Sequence, residues 1–195
     1  KTCINKPVLI NHIYFDLNYL LHMFYNEPKL NDKIKKLEDT ILFVCKKYIP
    51  TESVNLFSDG VAPLAKLLLQ RERRLAQVRK SMSLDNLDNS SLNFTPGTKF
   101  IKTLENKLTN LKKKLESRLC VKVNIHTREP GEGEIKIKNL INQNLDINPD
   151  CSSLLITNDG DVLLIVTATM IYKNIYILIK DDFISINSII KLHSD

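Results

Sequence analysis

Short β-branched runs alternating with longer helical patterns predict an α/β chain, with a mainly parallel twisted sheet flanked by helices. Two further observations support this. The helical stretches are long enough to serve as crossovers between parallel strands. The acidic residues fall where such strands would end.

The elements follow in order along the 195 residues. Ile13–Phe15 predicts a first strand and Leu30–Tyr48 a helix. Val54–Phe57 predicts the second strand, and Pro63–Met82 a basic helix with Pro63 suited to its first turn. Ser83–Asn93 is rich in Ser, Asn and Asp and predicts a mobile loop over 83–93. Thr98–Leu119 then reads as a helix, Val121–His126 as a strand, Glu132–Asn144 as a helix and Leu154–Thr157 as a strand. The apolar stretch from Val162 to Ile179 is broken by Lys173 and Asn174. It reads as a helix (Asp161–Met170) and a strand (Asn174–Ile179) rather than a membrane span.

Composition sets outer bounds. The chain has 28 Lys+Arg against 22 Asp+Glu, a formal charge of +6, and 43% hydrophobic residues. That excludes wholesale disorder and predicts one domain over 1–195. The surplus charge suggests an anionic partner. Cys3, Cys45, Cys120 and Cys151 lie far apart without C-x-x-C spacing, which predicts reduced, mostly buried thiols in an intracellular, cytoplasmic protein. The histidines are equally scattered, and no zinc spacing is present. No secretory signal pattern opens the chain. Its first residue, Lys1, suggests a processed product or an excised piece.

The carboxylates give the first functional signal. Asp16 closes the first predicted strand, and Asp59 follows the second in S-D-G. Glu132 and Glu134 follow the third in P-G-E-G-E, and Asp159 and Asp161 follow the fourth in T-N-D-G-D. In an open parallel sheet all strand C-termini share one edge, where ligands bind. Six carboxylates converging there would repel one another unless protonated or neutralised by cations. Oxygen-only ligands favour Mg²⁺ or Mn²⁺, and so rich a set could hold two ions. Each acid taken alone also has a plain role as a turn residue or helix cap.

The helix from Pro63 to Lys80 supplies the second signal. At about 100° per residue, Lys66, Gln70, Arg73 and Arg74 fall in one sector. Leu64, Leu68, Leu75 and Val78 fall opposite and are expected to pack on the sheet. The polar sector suits a phosphate, although a solvated amphipathic face has the same pattern. Acids and basic face together describe a site for phosphodiester hydrolysis. A P-loop is absent.

These residues resemble a known family. FDLNYLLH (15–22), SDGVAPLAK (58–66), QRERR (70–74), TPGTKF (95–100), EPGEGEIKI (129–137) and NDGDVLLI (158–165) are similar, in order and spacing, to the nuclease region of XRN 5′-to-3′ exoribonucleases. The resemblance spans roughly residues 11–166. It implies a nuclease core akin to flap endonucleases and PIN domains. It implies that Asp16, Asp59, Glu132, Glu134, Asp159 and Asp161 bind catalytic Mg²⁺ or Mn²⁺. It further implies that Lys66, Gln70, Arg73 and Arg74 hold a 5′-monophosphate, that His22 stacks on the first base, and that Asn18 orients a metal ligand or the substrate. The activity implied is Mg²⁺-dependent 5′-to-3′ degradation of single-stranded, 5′-monophosphorylated RNA, as in cytoplasmic mRNA decay. A flap-endonuclease-like DNA nuclease and a non-catalytic RNA-binding scaffold keeping the fold are the rival expectations.

The departures from the family pattern are specific. Tyr19 stands where the family usually has Gly, Leu64 where it often has Arg, and Gly160 between two retained acids where it has Ala. A further metal-binding Asp in a G-N-D-F-L-type motif is absent from the sequence ending at Asp195. The expectation is a fragment or a reduced family member, with a longer chain or a partner supplying that Asp, or a second metal held less completely.

Overall fold

The computed structural model describes residues 9–24, 27, 29–61, 67–69, 71–72, 75–76, 94, 96–167, 174–179 and 182–188. The predicted loop over 83–93 lies outside them.

The elements are β1 (His12–Asp16), α1 (Leu17–Met23), α2 (Leu30–Tyr48), β2 (Ser53–Phe57), α3 (Lys99–Leu119), β3 (Lys122–His126), α4 (Gly133–Ile147), β4 (Ser153–Ile156), α5 (Gly160–Thr167), β5 (Ile175–Ile179) and β6 (Asp182–Ser185). The described residues between 67 and 76 are helical as well. Each predicted strand is present within a residue or two of its expected ends.

The strands form a sheet in the order β3-β2-β1-β4-β5-β6, parallel except for β6, which runs antiparallel to β5. Register pairs Asp16 with Phe57 and Phe57 with His126, so β1, β2 and β3 finish level. The chain builds outward from β1 in one direction and then, from β4, in the other. The gap between the ends of β1 and β4 is therefore a topological switch point, the place where an open α/β sheet forms a crevice.

Alternation along the strands divides the core in two. Ile13, Phe15, Val54, Leu56, Val123, Leu154 and Ile156 face α1, α2 and α3. Tyr14, Phe57, Leu155, Ile175 and Ile177 face α4 and α5. In α2, Ile34, Leu37, Ile41 and Val44 recur at helical spacing and are buried. Leu104, Leu108, Leu111 and Leu115 do the same in α3. Each such leucine contributes about 1.5–3 kcal/mol through removal from water. Thr98 caps α3 by accepting the Ile101 amide, and Cys120 ends it in the left-handed region at φ 54°.

Three expectations need correction. Leu68 and Leu75 do not pack on the sheet but are largely exposed, because α1, α2 and α3 already occupy one sheet face and α4 and α5 the other. Helix α1 was not anticipated from sequence; it starts because Asp16 caps it, accepting the Tyr19 amide at 3.1 Å. Strand β6 was also missed. It is an edge strand of four residues, whose adjacent Phe183 and Ile184 are too short a run to show a strand period. Among the described residues, Cys45 and Cys151 are buried thiols, whereas Cys120 is exposed. None of the described helices is long and apolar enough to cross a membrane.

Candidate active site

The acids reach the sheet edge by different local routes. Asp16 is the last residue of β1 and Asp59 lies two residues beyond β2. Glu132 is the N-cap residue of α4, with Glu134 in its first turn, and Asp161 is in the first turn of α5. Acids at helix N-termini oppose the positive end of the helix dipole, so both helices favour their carboxylates there.

Three of the six acids converge. One carboxylate oxygen each from Glu134, Asp159 and Asp161 lies within 4.8 Å of the others. Oxygens bound to one Mg²⁺ stand at most about 4.2 Å apart and those bound to one Ca²⁺ about 5 Å apart, so a spacing within 4.8 Å brings the three carboxylates to where a hard divalent cation could gather them. Glu134 is half-buried, and Asp159 and Asp161 are exposed. The turn is shaped by Asp159, whose Oδ1 accepts the Asp161 amide at 2.9 Å.

The other three acids lie outside that triad, and Asp16 and Asp59 make hydrogen bonds that brace the edge. Asp16 Oδ1 caps α1, and its Oδ2 accepts from the Thr157 hydroxyl at 3.1 Å. The Asp59 Oδ1 accepts the Gly133 amide at 2.8 Å, tying the end of β2 to the start of α4. Both roles are those of caps and turns, and both still leave a carboxylate at the switch-point edge. Burial pushes the Asp16 carboxyl up to about 6; the charge of Asp59 adds to the rise, while the Tyr19 amide and Thr157 hydroxyl oppose it. Removal from water is the main cause, with the like charge of Asp59 a lesser one.

Around the acids, His22 on α1 is exposed and meets Phe94 edge-on, 5.3 Å between ring centroids. Desolvation by its neighbours lowers its imidazole, and the Asp59 carboxylate pulls the other way. Asn18 lies in the first turn of α1, half-buried. Lys66, Gln70, Arg73 and Arg74 lie outside the described residues.

Two residues with clear structural roles were missed from sequence. Thr157 follows β4 and accepts the Asp159 amide at 3.1 Å while donating to Asp16. The T-x-D spacing was its signal, since a Thr hydroxyl readily closes a two-residue turn. Lys136 sits one turn into α4, with Nζ 2.7 Å from the Ser58 carbonyl oxygen and 3.1 Å from those of His126 and Glu129. Lys136 lies within the EPGEGEIKI string, but its partners are carbonyls and leave no residue-type signal of its role.

Comparison with known proteins bears on this site. No curated protein matches. Among solved structures, the bacteriophage T5 flap endonuclease, crystallised with metal ions, matches with a TM-score of 0.55 at 14% identity, covering 94% of this chain and 60% of that one. A variant of the same phage enzyme, in a pseudo-enzyme-product complex with DNA and metal ions, matches with a TM-score of 0.50 at 14% identity, covering 94% and 61%. The chain thus spans about three-fifths of the length of that phage protein and shares its α/β nuclease fold. The model of the family described as XRN 5′-3′ exonuclease N-terminus matches residues 1–181, and the chain belongs to that family.

Proposed function

We propose that this chain is a divalent-cation-dependent 5′-to-3′ exonuclease acting on 5′-monophosphorylated single-stranded RNA. The observation that carries the hydrolytic part is the Glu134–Asp159–Asp161 cluster beside the β1/β4 switch point, in a chain of this family. Glu134, Asp159 and Asp161 would hold one Mg²⁺ or Mn²⁺, and Asp16, Asp59 and Glu132 would complete the ligand set around it or hold a second ion. A cation bound there supplies Lewis-acid charge to the phosphoryl group. The carboxylates would fix its place, and their hard oxygen donors suit Mg²⁺ or Mn²⁺. In this reading Lys66, Gln70, Arg73 and Arg74 grip the terminal phosphate, His22 stacks on the first base, and Asn18 orients a metal ligand or the substrate. The preference for RNA rests on family membership.

A second reading, a flap-type DNA nuclease, is favoured by the likeness to the phage flap endonuclease. One assay separates the two. A single RNA is offered with a 5′-monophosphate or a 5′-triphosphate, beside a DNA with a 5′ flap, each with Mg²⁺, Mn²⁺ or EDTA. Metal-dependent loss of the monophosphate RNA alone is the expected result. Preferential cutting of the flap DNA would select the second reading. Binding of RNA without turnover in any metal would identify a scaffold and defeat both.

A further inference from the structure

Lys136 has three ammonium donors, and all three meet main-chain carbonyls at 2.7–3.1 Å. None is left to reach a phosphate or a carboxylate. The carbonyls belong to two segments: Ser58, immediately before Asp59, and the stretch running from His126, the last residue of β3, through Glu129 in the connection to α4. The ammonium therefore joins the ends of β2 and β3 to the first turn of α4, the turn that carries Glu134.

The same connection is braced from other sides. The Gly60 amide donates to the Gly131 carbonyl at 2.8 Å and the Gly131 amide donates to the Val61 carbonyl at 3.0 Å. A Cβ at Gly60 would stand 1.9 Å from the Glu129 carbonyl oxygen, so the two strands of chain are pressed together. Glu105 on α3 accepts from the Thr127 hydroxyl at 3.2 Å and from Arg128 Nε at 3.1 Å. The His126 imidazole stacks on Phe57 at 4.5 Å, with Nδ1 2.8 Å from Glu129 Oε1.

We propose that Lys136 is a positioning residue for the carboxylate site: its ammonium clamps segments 58–61 and 126–131 against α4 and so sets where Asp59 and Glu134 stand. A single charge placed under three carbonyls orients them cooperatively, and no neutral side chain of similar length offers three donors. The catalytic consequence rests on the nuclease reading above; the clamp itself does not.

The test compares wild type with Lys136→Met, Lys136→Arg and the control Lys138→Met, which removes a like charge from the same helix. Amide hydrogen exchange without metal reads the clamp, and calorimetric titration with Mn²⁺ reads the site. In Lys136→Met, exchange is expected to rise in 58–61 and 126–131 but not in β5. Mn²⁺ affinity is expected to fall about tenfold or more, with kcat falling and KM for RNA little changed. Lys136→Arg should recover part of both effects, and Lys138→Met should match wild type. Should Lys136→Met fail to fold, partial losses in Lys136→Arg confined to the same segments would carry the comparison. Exchange in those segments unchanged in a folded Lys136→Met, or unchanged Mn²⁺ affinity in a wild type that binds Mn²⁺, would overturn the proposal. A wild type that binds no Mn²⁺ would defeat the nuclease reading instead, leaving the exchange data to decide the clamp.

Discussion

The Thr157 hydroxyl donates to Asp16 Oδ2 at 3.1 Å, joining the chain after β4 to the end of β1 across the switch point. The same oxygen accepts the Asp159 amide, so one small side chain holds acids from both strand ends. Thr157→Val keeps the shape and removes both bonds. It is expected to lower stability by about 1 kcal/mol and Mn²⁺ affinity by about tenfold, measured by thermal melts and calorimetry. Unchanged Mn²⁺ affinity would show that Asp16 and Asp159 are placed by other contacts.

The raised Asp16 carboxyl makes a pH prediction. Its ordinary value is 3.8 and its folded value about 6, so between these the native chain binds more protons than the unfolded chain. Stability of the metal-free protein therefore falls as pH rises from about 4 to 6, because unfolding then releases the carboxylate from an unfavourable site. Melting curves across this window should show the slope in wild type and lose it in Asp16→Asn. A metal-free Asp16→Asn that kept the full slope would place the effect on other groups.

Asp161 is exposed and belongs to the converging triad. Asp161→Ala is expected to cut metal-dependent hydrolysis by about 100-fold or more. Without metal its melting temperature should hold or rise slightly, since one like charge is gone. Nuclease rates and melting on the same preparation check both halves, and a rate near wild type would remove Asp161 from the site.

Two glycines should respond in opposite ways to alanine. At Gly60 the added Cβ meets backbone at 1.9 Å, and an expected loss of about 1–3 kcal/mol or more follows from overpacking. At Gly160 nothing lies within 4 Å, so Gly160→Ala should be neutral to stabilising by up to about 1 kcal/mol at the start of α5. Denaturant unfolding of the two variants makes the comparison. Equal losses would contradict the close approach of Gly60 to Glu129.

Much of this was legible in the sequence because the determinants are local. The β-branched runs gave β1 to β5, and the strand-end acids gave the edge on which the site lies. Which acids converge depends on where α4 and α5 begin in space, which no spacing in the sequence encodes. For that reason Glu134, Asp159 and Asp161 stood level with Asp16, Asp59 and Glu132 on sequence grounds. Lys136 escaped notice for a related reason, since its partners are carbonyls, and backbone atoms leave no residue-type signature. Leu68 and Leu75 misled because amphipathic spacing identifies an apolar side without saying whether a sheet face is left to receive it.

The central claim is that the switch-point carboxylates hold a divalent cation. Anomalous diffraction from crystals grown with Mn²⁺ tests it most directly. The expected result is a peak about 2.1 Å from carboxylate oxygens of at least two of Glu134, Asp159 and Asp161, lost in Asp161→Ala. Saturating Mn²⁺ with no peak at these residues, or with a peak only at other acids, would contradict it.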